Sequence, residues 1–192
     1  MITNLTVRNF KKLKDVSIEL GKNVVLIGPN NSGKTTALQA LALWEVGLKK
    51  WTEKWRGKKS SEKRPGVTIN RRDVLSIPVP YANLLWHDLH VRNVQKIEDK
   101  QQTQNIRIEI IVDGITDGVP WSCGLEFDYA NEESFYCRPL RVMGEGELKR
   151  MEVPEAALTV QMAFLPPMSG MTASEPKWEP GRINVLLGEG RT

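Results

Sequence analysis

Residues Gly28-Pro29-Asn30-Asn31-Ser32-Gly33-Lys34-Thr35 constrain this chain more than any other stretch, because they place two glycines, a lysine and a threonine at the spacing of a phosphate-binding glycine loop. Phosphate oxygens are densely charged and are held best by converging backbone N–H groups and a mobile cation. Glycines at both ends allow the backbone to approach closely, so N–H groups from Asn31 to Thr35 can surround one phosphate. The positive end of a following helix adds to the attraction. In this reading Lys34 reaches the outer phosphates, the Thr35 hydroxyl completes the coordination of Mg²⁺, and Thr36 donates to the phosphate nearest the nucleoside. Gly28, Asn30, Asn31, Ser32 and Gly33 supply the cradle, and ATP with Mg²⁺ is the expected ligand.

The flanking sequence fits a strand, a loop and a helix in that order. Val24-Val25-Leu26-Ile27 is a continuous apolar run and predicts a buried central strand. Thr35 to Trp44 is rich in helix formers, and the helix is expected to pass Gly47, since Trp44, Leu48, Trp51 and Trp55 recur at helical spacing. That stripe is read as core. Two alternating segments precede the loop, Ile2 to Val7 and Val16 to Leu20.

The chain has 192 residues, 40% of them hydrophobic, enough for one core and a small appendage. No stretch reaches the roughly 18 apolar residues of a membrane span, and the N-terminus alternates like a strand instead of opening on a charged leader. A cytoplasmic location without membrane contact is expected. Cys123 and Cys137 are too few for a disulfide framework and read as reduced thiols. The net charge of +4 is uneven: Lys49 to Arg72 holds ten basic residues against two acidic ones, a local +8 that leaves −4 elsewhere. Two readings of this basic segment at about 49–72 stay open, a solvated helix end and loop, or a surface for the backbone of DNA.

Arg56 to Pro65 reads as a surface loop. Pro78 and Pro80 exclude a regular helix, Ala82 to Leu89 suits a short one, and His87 with His90 lacks the partners of a zinc set. The period then changes to two. Ile106, Ile108, Ile110 and Val112 alternate, Asp113-Gly114 signals a turn, and Trp121–Tyr129 and Ser134–Val142 follow, joined by Asn131-Glu132-Glu133. An antiparallel meander over about 105–143 is predicted. Gly146 to Ala157 reads as capable of helix, and Val160 to Leu165 as a further strand before Pro166-Pro167.

Leu5-Thr6-Val7-Arg8-Asn9-Phe10-Lys11, Val16 to Leu20, and Val25 through Thr35 together resemble the ABC-type head ATPases, which include the structural-maintenance-of-chromosomes proteins, RecF, RecN and the OLD nucleases. The match is close over about the first 45 residues. The resemblance implies an α/β fold, the N-terminal lobe of a P-loop NTPase with a central sheet, a P-loop helix and an appended antiparallel meander, spanning residues 1–192. It also implies that Lys11, the basic residue after Asn-Phe, helps to hold the nucleotide. The tail from Phe164 to Arg191 is similar to a segment of bacterial AAA-type ATPases of this group.

A complete head of this kind also carries a Leu-Ser-Gly-Gly type signature, a strand ending in Asp-Glu and a switch histidine, and none is found here. Ile108 to Asp113 imitates such a strand but alternates and ends in Asp-Gly, so it is read as a hairpin. Gln161, the candidate for bridging Mg²⁺ and water, is read as an ordinary solvent-facing residue. The chain is therefore expected to be part of a longer protein. Nucleotide would bind here, while hydrolysis would need a C-terminal lobe and a homodimer, in DNA repair, chromosome maintenance or defence against foreign DNA. The alternatives are a self-contained P-loop kinase or other NTPase, and a DNA-binding module built on the basic segment.

Overall fold

The computed structural model of the chain describes residues 1–55, 64–97, 100–144, 146–163 and 179. In chain order the elements are β1 (Ile2–Phe10), β2 (Leu13–Glu19), α1 (Lys34–Trp55), β3 (Val67–Asn70), β4 (Arg92–Ile97), β5 (Lys100–Asn105), β6 (Ile108–Thr116), β7 (Val119–Asn131), β8 (Ser134–Pro139), β9 (Arg141–Gly144), β10 (Glu147–Arg150) and α2 (Glu155–Leu158). Short 3-10 turns at Arg71–Asp73, Ala82–Leu85 and His87–Leu89 lie between β3 and β4. The architecture is mixed α/β around an antiparallel sheet.

Six strands form that sheet in the order β2-β1-β6-β7-β8-β3, with every adjacent pair antiparallel. Two-residue periodicity sends Leu5 and Val7, then Ile108, Ile110 and Val112, then Cys123, Leu125 and Phe127 to one face. In β1 the alternation would next bury Asn9. Instead Asn9 takes a left-handed conformation with φ 56° and donates its side-chain amide to Arg107 O at 3.0 Å, so that Phe10 enters the core. Helix α1 covers this face through Ala37, Ala40, Leu41, Trp44, Leu48 and Trp51. Trp44 is fully buried and satisfies its indole N–H on Cys123 O at 2.9 Å. Trp44, Leu48 and Trp51 of the tryptophan stripe are buried, Trp55 at the helix end is only half-buried, and α1 runs through Gly47 as its spacing predicts.

On the opposite face Glu126 and Asp128 of β7 are buried under two arginines. Arg138 donates to both carboxylates, to Asp128 at 2.9 Å, and Arg107 lies 3.3 Å from Asp128 and 3.6 Å from Glu126. Buried charges persist in this way only when paired.

The tertiary structure corrects several expectations. Residues 24–27 form no strand, and Val25 is 81% and Ile27 91% exposed, while Leu26 alone packs partly against the core. A central strand needs neighbours on both edges. Here β1 has its two in β2 and β6, and no backbone-to-backbone hydrogen bond joins residues 21–28 to other described residues. The meander is not an appendage beside a separate central sheet, because β6 pairs directly with β1 and makes β6 and β7 the middle of the same sheet.

Asp113-Gly114 is not the turn. It lies inside β6, and the hairpin closes at Asp117-Gly118, both left-handed. Gly114 is there for space, since a Cβ would sit 2.3 Å from the Trp121 ring that lies opposite it. Glu147–Arg150, read as capable of helix, instead pairs as β10 with β9, and helix is confined to Glu155–Leu158 after Pro154. Residues 160–163 are irregular instead of a strand, and Ala82–Leu89 forms two 3-10 turns in place of a helix. The tail from 164 to 178 and from 180 onward, and residues 56–63 of the basic segment, lie outside the described residues.

Candidate phosphate-binding site

After Glu19 the chain leaves the sheet, with the Leu20 N–H still bonded to Thr3 O at 2.8 Å, and runs without regular secondary structure to Gly28. A turn follows, in which the Ser32 N–H donates to Pro29 O at 3.3 Å. Asn31 and Gly33 are left-handed, with φ 68° and 97°. Asparagine tolerates that region, but Gly33 could not carry a side chain without strain, and its Cβ would also come within 3.2 Å of Leu13. Gly33 O accepts from the Ala37 N–H at 2.9 Å and starts α1.

The N–H groups of the first helical turn, Lys34, Thr35 and Thr36, have no intrahelical partner by the geometry of any α-helix. No acidic side chain lies in that turn to neutralise its positive end. The ammonium group of Lys34 folds back over the loop and donates to Gly28 O and Pro29 O, both at 2.7 Å, with Ser32 Oγ at 3.4 Å. Gly28, Asn30, Asn31, Ser32 and Thr35 are exposed, while Gly33, Lys34 and Thr36 are half-buried. Thr35 makes no side-chain hydrogen bond among the described residues and stands open beside Lys34. The loop therefore combines free N–H donors, a cation held by neutral oxygens, and an available hydroxyl. That set suits a polyphosphate with a hard divalent cation such as Mg²⁺.

The turn between β1 and β2 lies against the loop through Leu13. Its first residue, Lys11, is left-handed, and its ammonium group reaches Gln39 Oε1 of α1 at 2.8 Å. Lys12, which sequence reasoning passed over, reaches the loop itself, with Nζ 3.3 Å from Asn31 O. The Lys-Lys pair at a two-residue turn was the available signal, since consecutive residues at a turn point apart. His87 sits behind the turn, with Nδ1 2.6 Å from Lys11 O and Nε2 3.3 Å from Asp88.

Other candidates lie elsewhere. Asp113 pairs with Asn4, six residues along β1 from Phe10, or about 20 Å from the loop end of the sheet. Gln161 is exposed. Among the described residues no three His, Cys, Asp or Glu side chains converge as a metal site. Several cations of the basic segment are committed to carboxylates: Lys49 to Glu45, Lys50 to Asp73, and Arg71 and Arg72 to Glu133, at 2.9 to 3.7 Å. Lys54 and Arg64 lie over the Trp55 ring. Cys123 and Cys137 are free and buried, and burial pushes the Cys123 thiol up to about 12. No helix among the described residues is long and apolar enough to cross a membrane.

Residues 1–113, which contain the loop, α1 and the first half of the sheet, match the family model of the AAA ATPase domain. The chain belongs to that family. Its function is accordingly of the ATPase type, with nucleotide binding as the common property. A 43-residue stretch is 44% identical to an OLD nuclease of Thermus scotoductus, covering 22% of this chain and 8% of that protein. The chain thus matches only a small part of that relative's length. Together the two findings support an N-terminal region of the ATPase type shared by the structural-maintenance-of-chromosomes, RecF and OLD proteins.

Proposed function

We propose that Gly28 to Thr36 bind the triphosphate of ATP, with Mg²⁺ held beside Thr35, in the N-terminal lobe of a P-loop NTPase head. The observation that carries this reading is Lys34, whose ammonium group rests on two loop carbonyls in front of an unneutralised helix N-terminus. A phosphate oxygen is a stronger partner than either carbonyl, because both members of the new bond are charged. The loop N–H groups orient the phosphates, Lys34 offsets their charge, and Thr35 offers its hydroxyl to the cation. Bound Mg²⁺ would supply charge neutralisation on the phosphate oxygens.

Hydrolysis asks for more, namely a group that orients the attacking water and another that offsets charge developing in the transition state. Among the described residues no carboxylate is ion-paired to Lys34, whose ammonium group meets only neutral oxygens. We place these groups on a second lobe and on a second copy of the head. The apolar run at 24–27 favours this, since Val25 and Ile27 expose two large side chains and lie in a segment whose backbone is unpaired, a surface that an added sheet would cover. We also propose work on DNA, in repair, chromosome maintenance or defence, a reading supported by the likeness of 43 residues to a nuclease.

Isothermal titration with MgATP tests the reading. Saturable binding is expected, with Lys34→Ala weakening it by more than about tenfold and turnover by this chain negligible. Rapid hydrolysis abolished by Lys34→Ala would show that the chain already carries the complete machinery. Absence of MgATP binding would remove the assignment altogether.

A further inference from the structure

The two lysines of the β1–β2 turn are used differently. Lys11 is fully engaged: its N–H donates to Leu85 O at 2.9 Å, its carbonyl meets His87 Nδ1, and its ammonium group donates to Gln39. Gln39 in turn donates to Ser76 O at 3.3 Å, so Lys11 fastens the turn to α1 and to the segment beyond it. Burial also lowers the Lys11 ammonium group below the ordinary lysine range, an environment unfavourable to charge.

Lys12 is exposed, and its ammonium group meets a neutral carbonyl of the loop, Asn31 O. This is the condition of Lys34, which rests on Gly28 O and Pro29 O. Two cations from different parts of the chain therefore converge on the same loop, each on partners that a phosphate oxygen would outcompete.

We infer that Lys12 is a second phosphate-binding cation, which moves from Asn31 O to the terminal phosphate of a nucleoside triphosphate, while Lys11, the lysine that the resemblance implies holds nucleotide, is tied to Gln39 of α1 in this structure. The inference rests on the phosphate-binding reading of the loop. Lys12 approaches the exposed bend at Asn31 from solvent, whereas the N–H groups of Lys34, Thr35 and Thr36 lie at the helix end. It is thus suited to the phosphate farthest from the helix, and it would help to distinguish a triphosphate from a diphosphate.

Calorimetric titration of MgATP and MgADP into the wild-type chain, Lys12→Ala, Lys12→Arg, Lys11→Ala and Lys34→Ala tests this. Lys12→Ala should weaken MgATP about tenfold to a hundredfold and MgADP less than about threefold, as expected for one lost charge-assisted bond. Arginine should restore most of the affinity, and the melting temperature without nucleotide should not change. Lys11→Ala should lower the melting temperature and affect MgATP less than Lys12→Ala does. Unchanged MgATP affinity in Lys12→Ala, or equal losses for both nucleotides, would overturn the role of Lys12. If Lys34→Ala abolishes binding while Lys12→Ala does not alter it, the loop assignment stands and only this inference fails. If the wild-type chain binds neither nucleotide, both fall together.

Discussion

The sheet under α1 and the segment from Gly21 to Gly33 are built from similar residues and held in opposite ways. Ile110, in the middle of β6, has strands on both sides and α1 above it, and is fully buried. Ile27 belongs to an equally apolar run, yet stands almost wholly in solvent with no strand beside it. The first region is stable because its apolar area is removed from water and its backbone groups are paired. The second is held at its ends, by Leu20 on β1 and by the Gly33 turn on α1, and keeps its donors available. On the proposed reading of the loop, stability and ligand capacity are separated along the chain, as expected when binding groups sit on a loop carried by a rigid scaffold.

Paired truncations make the contrast measurable. Ile110→Ala should cost about 2–5 kcal/mol in denaturant unfolding, from lost transfer energy and the cavity left behind. Ile27→Ala should stay within about 0.5 kcal/mol. Equal costs would mean that residues 24–27 are covered in solution and that the comparison fails. Gly33→Ala comes next, at about 1–3 kcal/mol, because alanine must adopt φ 97° and press on Leu13. A loss of MgATP affinity together with that small destabilisation would tie the loop's backbone shape to its function.

The smallest effect belongs to the β7–β8 turn. Arg71 donates to Glu133 at 2.9 Å and holds its carboxyl below the usual carboxylate range. A carboxylate whose value is lowered on folding adds stability above its unfolded value, near 4.3, and loses it as pH falls through the folded value. Glu133→Gln should therefore show a slightly lower melting temperature than wild type near neutral pH, and the difference should vanish in strong acid. Because Glu133 is exposed, added salt should shrink the difference as well.

Much of this is legible in the sequence. The glycine loop and the start of α1 follow from local rules about which residues accept left-handed backbone and which begin a helix. The tryptophan stripe gave most of the buried face of α1, and alternation gave the inward residues of β6. Asp113-Gly114 misled because aspartate-glycine marks two different needs, a left-handed turn and room for a large neighbour. Trp121, across the sheet, decides between them. Lys11 and Lys12 were not separable by composition, since their directions depend on the left-handed backbone at Lys11 and on the loop and helix brought against the turn.

Sequence alone determined the loop, its lysine and threonine, the long helix behind it and the alternating segments, because each is written in the pattern of residues close in the chain. Tertiary structure decided that the meander joins β1 in one sheet, that Lys12 is the turn lysine facing the loop, and that Val24 to Ile27 lie outside the core. Burial is a property of neighbours. An apolar run states that burial is favourable, and only the packing of the whole chain shows whether another surface is present to provide it.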